Sequence, residues 1–257
     1  MPKLNRNGVE LYYEVHGRGP TVLLTHGYSS SSHMWAGQTA PFSKDHQLVV
    51  WDMRGHGKSD YPADQAAYSE AETVADMAAI LDAVGAKTAV IGGLSLGGYM
   101  SLAFHLAHPE RTRALLIIDT GPGYKSDEPR AAWNVTANRR ADRLEQDGLP
   151  PPGTGGAETR TAPHRNAEGL AKAARGMLTQ HDARVISSLP EIKVPSLVVV
   201  GANDTPYLAA SDYMAAKIPA ARKVVIPDAG HSSNIDQPEA FNAAVLGFLA
   251  DLKLGAA

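Results

Sequence analysis

Short aliphatic runs separated by amphipathic stretches set the rhythm of the first 120 residues. Residues 11–15, 21–25, 47–51, 89–92 and 114–119 read as strands, each brief and mostly apolar. Near-continuous apolar strands imply burial on both faces, as in a parallel sheet sandwiched by helices. Between Trp51 and Ala89, the residues Val74, Met77, Leu81 and Val84 recur at helical spacing. Ser69 and Glu72 form a capping box ahead of them, and Gly85 supplies a stop. A second helix is predicted from just after Ser95 to just before Pro109.

The pattern breaks at Gly121. From there to Arg184 no strand is legible, charges are frequent, and residues 148–156 form a run of Pro and Gly that neither a helix nor a central strand tolerates. The alternation then resumes, with strands at 196–201 and 223–226 and helices at 208–217 and 238–252. Strands alternating with helices imply βαβ units. The expected organisation is an α/β core from residues 1–120 and 185–257, interrupted by a mostly helical insertion at 121–184.

Composition narrows the function. The 257 residues are 44% hydrophobic and 20% charged, which rules out wholesale disorder. Twenty-four basic against 27 acidic residues give a formal charge of −3, unlike the clustered basic footprint of a nucleic-acid binder. Zero cysteines exclude a disulfide framework, an iron–sulfur centre, a cysteine nucleophile and a thiolate zinc site. The first eight residues lack a signal-like apolar stretch, and no run approaches the roughly 18–20 apolar residues of a membrane span. A cytoplasmic protein with no membrane and no nucleic-acid partner is expected.

The sharpest local signal is Gly93-Leu94-Ser95-Leu96-Gly97, a G-x-S-x-G with a strand running in and a helix running out. Such a turn strains the serine backbone and lifts its hydroxyl clear of the sheet. A serine hydroxyl is a weak nucleophile near neutral pH, so it needs a base, and the base needs an orienting acid. His231, in the polar loop after the last predicted strand, is the candidate base, and Asp204, after the 196–201 strand, the candidate acid. Ser95, Asp204 and His231 each follow a separate strand, and parallel strands deliver such loops to one edge of the sheet. The oxyanion of an acyl transfer needs donors. The Leu96 N–H, directly after the nucleophile, and the Tyr28 N–H, after Thr25-His26-Gly27, are the candidates.

These residues together with Asp52-Met53-Arg54-Gly55-His56-Gly57-Lys58-Ser59 make the chain resemble the α/β-hydrolase superfamily over nearly its whole length, on its serine-nucleophile, esterase and enol-lactonase-like side. The resemblance implies a mostly parallel eight-stranded sheet with helices on both faces, a Ser95–His231–Asp204 triad, and a helical cap built from 121–184. It also implies a mainly structural role for the Arg54–Gly57 loop. Asp119 occupies the position that carries the acid in some similar proteins. Aspartate-nucleophile relatives are disfavoured because Ser95 holds the elbow.

The expected activity is cofactor-independent cleavage of a carboxylic ester through an acyl-enzyme on Ser95, with no metal. A small-molecule ester or lactone is the expected partner, and a homodimer is open. Lactones, thioesters and carbon–carbon bonds of vinylogous diketones are alternatives for the same triad. A slowly hydrolysing ligand receptor is the alternative from another class. Trp133, Tyr124 and Met177 are candidate pocket residues within the insertion. Arg139, Arg140 and Arg143 read as a solvated helix face, and His105 and His108 as packing or surface histidines.

Overall fold

The computed structural model describes residues 3–252; the outermost ends of the expected core, 1–2 and 253–257, lie outside the described residues. Eight strands form one sheet in the order β1-β2-β4-β3-β5-β6-β7-β8. They are β1 (Lys3–Arg6), β2 (Val9–His16), β3 (Thr21–Thr25), β4 (Gln47–Trp51), β5 (Ala89–Leu94), β6 (Thr112–Ile118), β7 (Ser196–Gly201) and β8 (Ala221–Ile226). β2 runs antiparallel to β1 and β4, and every other pairing is parallel. Seven of the strands coincide with runs legible in the sequence. β1 does not, because this edge strand alternates between exposed and half-buried positions and carries no apolar run.

Period-two alternation sorts the strand residues into two cores. Leu23, Val49, Ile91, Leu115 and Val198 face a cluster with Met77, Ile80, Leu81, Met100 and Phe104. The last five come from α2 (Glu70–Ala83) and α3 (Leu96–Ala107). Val22, Leu48, Val50, Val90, Leu116 and Val199 face the other way, onto Phe42, Phe241, Val245 and Phe248. Those aromatics belong to α1 (Ala36–Phe42) and to α9 (Pro238–Asp251) at the chain's end. Each fully buried Leu, Ile or Phe here contributes about 1.5–3 kcal/mol, so burial on both faces dominates the stability of the sheet.

The capping box ahead of α2 forms by half. Ser69 Oγ accepts the Glu72 N–H at 3.1 Å, while the Glu72 carboxylate turns to Arg6 at 2.7 Å and Arg54 at 3.1 Å. A long-range ion pair has replaced the local reciprocal bond.

Between β6 and β7 lie α4 (Asp127–Asp147), α5 (Ala167–Ala173) continued by a wide turn at Ala174–Leu178, and α6 (Arg184–Ser188). No helix or strand occurs from Gly148 to Asn166, where the Pro and Gly run falls. Trp133, Ala137, Ala141 and Leu144 form the inward stripe of α4. Ala137 joins the core beneath, and Ala141 packs on Ala171 and Ala174. The remaining helices are α7 (Thr205–Lys217) and α8 (Ser233–Asp236). Among the described residues no helix is long and apolar enough to cross a membrane.

Candidate active site

The parallel strands β3 to β8 end at one edge of the sheet, where the loops after them carry Tyr28, Ser95, Asp204 and His231, and Leu96 opens α3. Ser95 joins β5 to α3 with φ 55° and ψ −117°, a conformation costly for a residue with a Cβ. Its backbone is held there by bonds from Ser95 N–H to the Ile118 carbonyl at 2.9 Å and from Thr120 Oγ1 to the Ser95 carbonyl at 2.7 Å. The flanking glycines permit the turn by close approach. A Cβ on Gly93 would stand 2.5 Å from the Gly97 carbonyl carbon and 2.6 Å from Thr25 O.

His231 lies in the loop after β8, with Nδ1 2.9 Å from Asp204 Oδ2. Asp204 is buried at the N-terminal cap of α7, whereas the His231 side chain keeps about a third of its surface. The imidazole donates from Nδ1 to the carboxylate, which leaves the lone pair on Nε2. Burial disfavours the charged ring, but the Asp204 hydrogen bond and charge, with Asp119 and Glu158 behind them, raise its pKa above the ordinary value. The Tyr207 ring stacks on the imidazole at 4.9 Å.

Asp119 does not touch His231. Its carboxylate accepts the Gly201 N–H at 2.8 Å, the Ser233 N–H at 3.1 Å and the Ser233 hydroxyl at 2.5 Å. Burial pushes this carboxyl up to about 7 against the pull of those donors. It therefore ties the ends of β6 and β7 to the turn that carries His231.

The loop after β3 lies against the serine: a Cβ built on Gly27 would be 3.4 Å from the Ser95 Cβ. His26 is fully buried, donates from Nδ1 to Gly27 O at 2.7 Å and accepts the Met53 N–H on Nε2 at 2.9 Å. Among the described residues the Tyr28 N–H has no acceptor, and its hydroxyl donates to Leu170 O at 2.9 Å. Leu96 opens α3, where the first N–H groups have no partner within the helix.

The three aromatic and Met candidates of the insertion sit apart in character. Met177 is 1% exposed and part of the core cluster. Trp133 donates from Nε1 to Leu178 O at 2.7 Å, with the Tyr124 ring 6.3 Å away. His105 is buried, and His108 packs beside Phe104 at 5.1 Å. Among the described residues no group of three or more His, Asp or Glu side chains could hold a metal ion. Sequence reasoning missed Tyr207, Ser233, Glu158 and His164. Tyr207, three residues after Asp204, and Ser233, two after His231, had a local signal; Glu158 and His164 had none.

A doubly wound sheet that presents a serine on a strained strand–helix turn, with a carboxylate-bound histidine at the same edge, defines a hydrolase of the α/β class. The chain belongs to the alpha/beta hydrolase family, whose model matches residues 22–244. It is 27% identical to 3-oxoadipate enol-lactonase 1 of Acinetobacter baylyi, across 97% of this chain and 96% of that protein. The solved enol-lactonase from Burkholderia xenovorans LB400 is similar at 28% identity and a TM-score of 0.76, covering 97% of this chain and 100% of that one. A thermophilic esterase from Thermogutta terrifontis superposes with a TM-score of 0.82 at 27% identity, covering 98% and 99%.

Proposed function

We propose that this hydrolase cleaves carboxylic esters, lactones among them, through an acyl-enzyme on Ser95 and without a cofactor. The reading rests on one arrangement: His231 bonded to Asp204 at 2.9 Å, at the same sheet edge as the strained Ser95 turn. Ser95 Oγ attacks the carbonyl carbon while His231 Nε2 takes its proton. The Leu96 and Tyr28 N–H groups hold the oxyanion, and loss of one such donor typically costs about 3–4 kcal/mol of barrier. The proton then passes to the leaving alkoxide, which departs as the alcohol of an open-chain ester and stays tethered to the acyl group of a lactone. Water, deprotonated by the same nitrogen, attacks the acyl carbon; the acyl–Oγ bond breaks, the imidazolium returns the proton to Ser95 Oγ, and the acid leaves. Asp204 keeps the imidazole in the working tautomer and stabilises its positive form.

Lactones are favoured beside open-chain esters by the similarity to two enol-lactonases. Steady-state hydrolysis of p-nitrophenyl acetate, butyrate and octanoate and of a simple lactone, by wild type and Ser95→Ala, tests the proposal. Many turnovers lost in the variant support it. Activity surviving in Ser95→Ala overturns the nucleophile, and a single catalytic event per chain favours a ligand receptor.

A further inference from the structure

Ser29 follows the proposed oxyanion donor Tyr28 and adopts φ 59°, a left-handed conformation that is unfavourable for a serine. Something must hold it there. The Ser29 N–H donates to His56 Nε2 at 3.1 Å. On its other side, His164 Nε2 lies 3.0 Å from Ser29 O, and the Gly57 N–H reaches His164 Nδ1 at 3.2 Å. A backbone N–H can only donate, so His164 Nδ1 accepts and the neutral ring carries its hydrogen on Nε2, aimed at the Ser29 carbonyl. His56 closes the circuit, donating from Nδ1 to Arg54 O at 3.0 Å. The two rings meet edge to face at 5.7 Å.

Ser29 is thus gripped at both backbone polar atoms by two histidines. His56 comes from the 52–59 loop of the sheet. His164 comes from the helical insertion, 135 positions after Ser29. Two more contacts from the insertion reach the same turn: Ser30 Oγ donates to Glu158 O at 2.6 Å, and Tyr28 Oη to Leu170 O at 2.9 Å. Those two hold side chains, whereas His164 holds the backbone.

We propose that His164 is a positioning residue for the oxyanion hole: it fixes the Ser29–Ser30 peptide, whose N–H bonds Gly27 O at 3.2 Å, and so sets the peptide that carries the Tyr28 N–H. The insertion then acts on the rate of acyl transfer and not only on what enters the site. The inference rests on the Ser95 acyl-enzyme reading above. A displaced catalytic group can cost about 100-fold in rate while leaving ground-state binding nearly intact.

The test compares His164→Ala with His164→Gln. A glutamine amide carries a donor and an acceptor about as far apart as the two ring nitrogens, and so can serve Ser29 O and Gly57 N–H together. The result expected for His164→Ala is a kcat about 30–100-fold lower with KM within about threefold. Its affinity for a trifluoromethyl ketone, which forms a serine-bound oxyanion, falls in parallel, while that for the matching methyl alcohol holds. His164→Gln recovers most of the turnover.

A loss confined to KM, unchanged kinetics, or a glutamine variant no better than alanine overturns the proposal. Should His164→Ala fail to fold, His164→Asn, whose amide sits one methylene short of the glutamine's reach, carries the same comparison. Wild-type protein without Ser95-dependent turnover defeats the acyl-enzyme reading itself. Ser95-dependent turnover indifferent to His164 defeats this inference alone.

Discussion

The Tyr207 ring lies stacked on His231, centroids 4.9 Å apart and planes 26° apart. The face of a tyrosine carries negative potential, so it favours the imidazolium that forms when His231 takes the serine proton, by about 0.5–1 kcal/mol. Tyr207→Phe keeps the face and is expected to retain kcat within about twofold. Tyr207→Ala is expected to lower kcat by about 2–5-fold. Steady-state kinetics with a p-nitrophenyl ester measures both, and equal losses in the two variants would assign the effect to the hydroxyl instead.

Asp204→Asn offers the second prediction. The hydrogen bond and charge of Asp204 are what lift the His231 pKa against burial. Their removal is expected to lower kcat by about 10³–10⁴-fold and to move the acid limb of kcat/KM to lower pH, because the base now protonates less readily. A pH–rate profile of the variant that keeps the wild-type limb would detach Asp204 from His231 in function.

The glycine before the elbow is a steric requirement. Gly93→Ala drives a Cβ into backbone atoms of Gly97 and Thr25 at 2.5 and 2.6 Å, and neither can retreat without parting β5 from α3 or β3. The expected cost is about 3 kcal/mol or more. It would appear as insoluble protein or a large drop in Tm. A soluble variant melting with the wild type would contradict this close packing.

Arg54 and Asp76 make a paired ionic contact at 2.6 and 2.8 Å, with side chains 3% and 1% exposed. Removing Asp76 strips the buried Arg54 of its two-point partner and leaves it only the Glu72 carboxylate at 3.1 Å, so Asp76→Ala is expected to destabilise by about 3 kcal/mol. Urea unfolding at pH 7.5 measures it. Because the pair anchors the 52–59 loop to α2, a midpoint equal to wild type would deny that loop its structural role.

Acid should find the histidines. Burial pushes His26 down to about 4, partly offset by Asp52, and burial likewise lowers His56 and His164. The unfolded chain takes up these protons near pH 6.5 and the folded chain does not, so their contribution to stability is lost as pH falls from about 6.5 to about 4. His26 alone accounts for about 3 kcal/mol. Asp119 acts with the opposite sign: its raised pKa makes the folded state more stable as pH falls below about 7. The clean comparison is therefore between proteins. The stability gap between wild type and His26→Asn, from urea midpoints at pH 7 and pH 4, is expected to shrink by about 3 kcal/mol. A constant gap would mean that His26 titrates alike in both states.

Much of the fold was legible because its determinants are local. An apolar run of five residues, a capping serine at position 69 and a glycine at 85 act on their own neighbours, and the G-x-S-x-G turn needs its glycines wherever it occurs. The edge strand β1 escaped because a half-exposed strand has no apolar signature, and α4 was read only as part of a helical stretch.

The sequence by itself determined the alternation of strands and helices, the strained serine turn, and the order of the serine, aspartate and histidine loops. Tertiary structure alone decided that His231 bonds Asp204 while Asp119 serves Ser233, and that Tyr207 covers the imidazole. It also brought His164 to Ser29. The physical reason is reach. Periodicity and turn sterics act over a few residues, but a hydrogen bond across 135 positions depends on where two separately folded segments dock, and nothing in either segment's own pattern records that meeting.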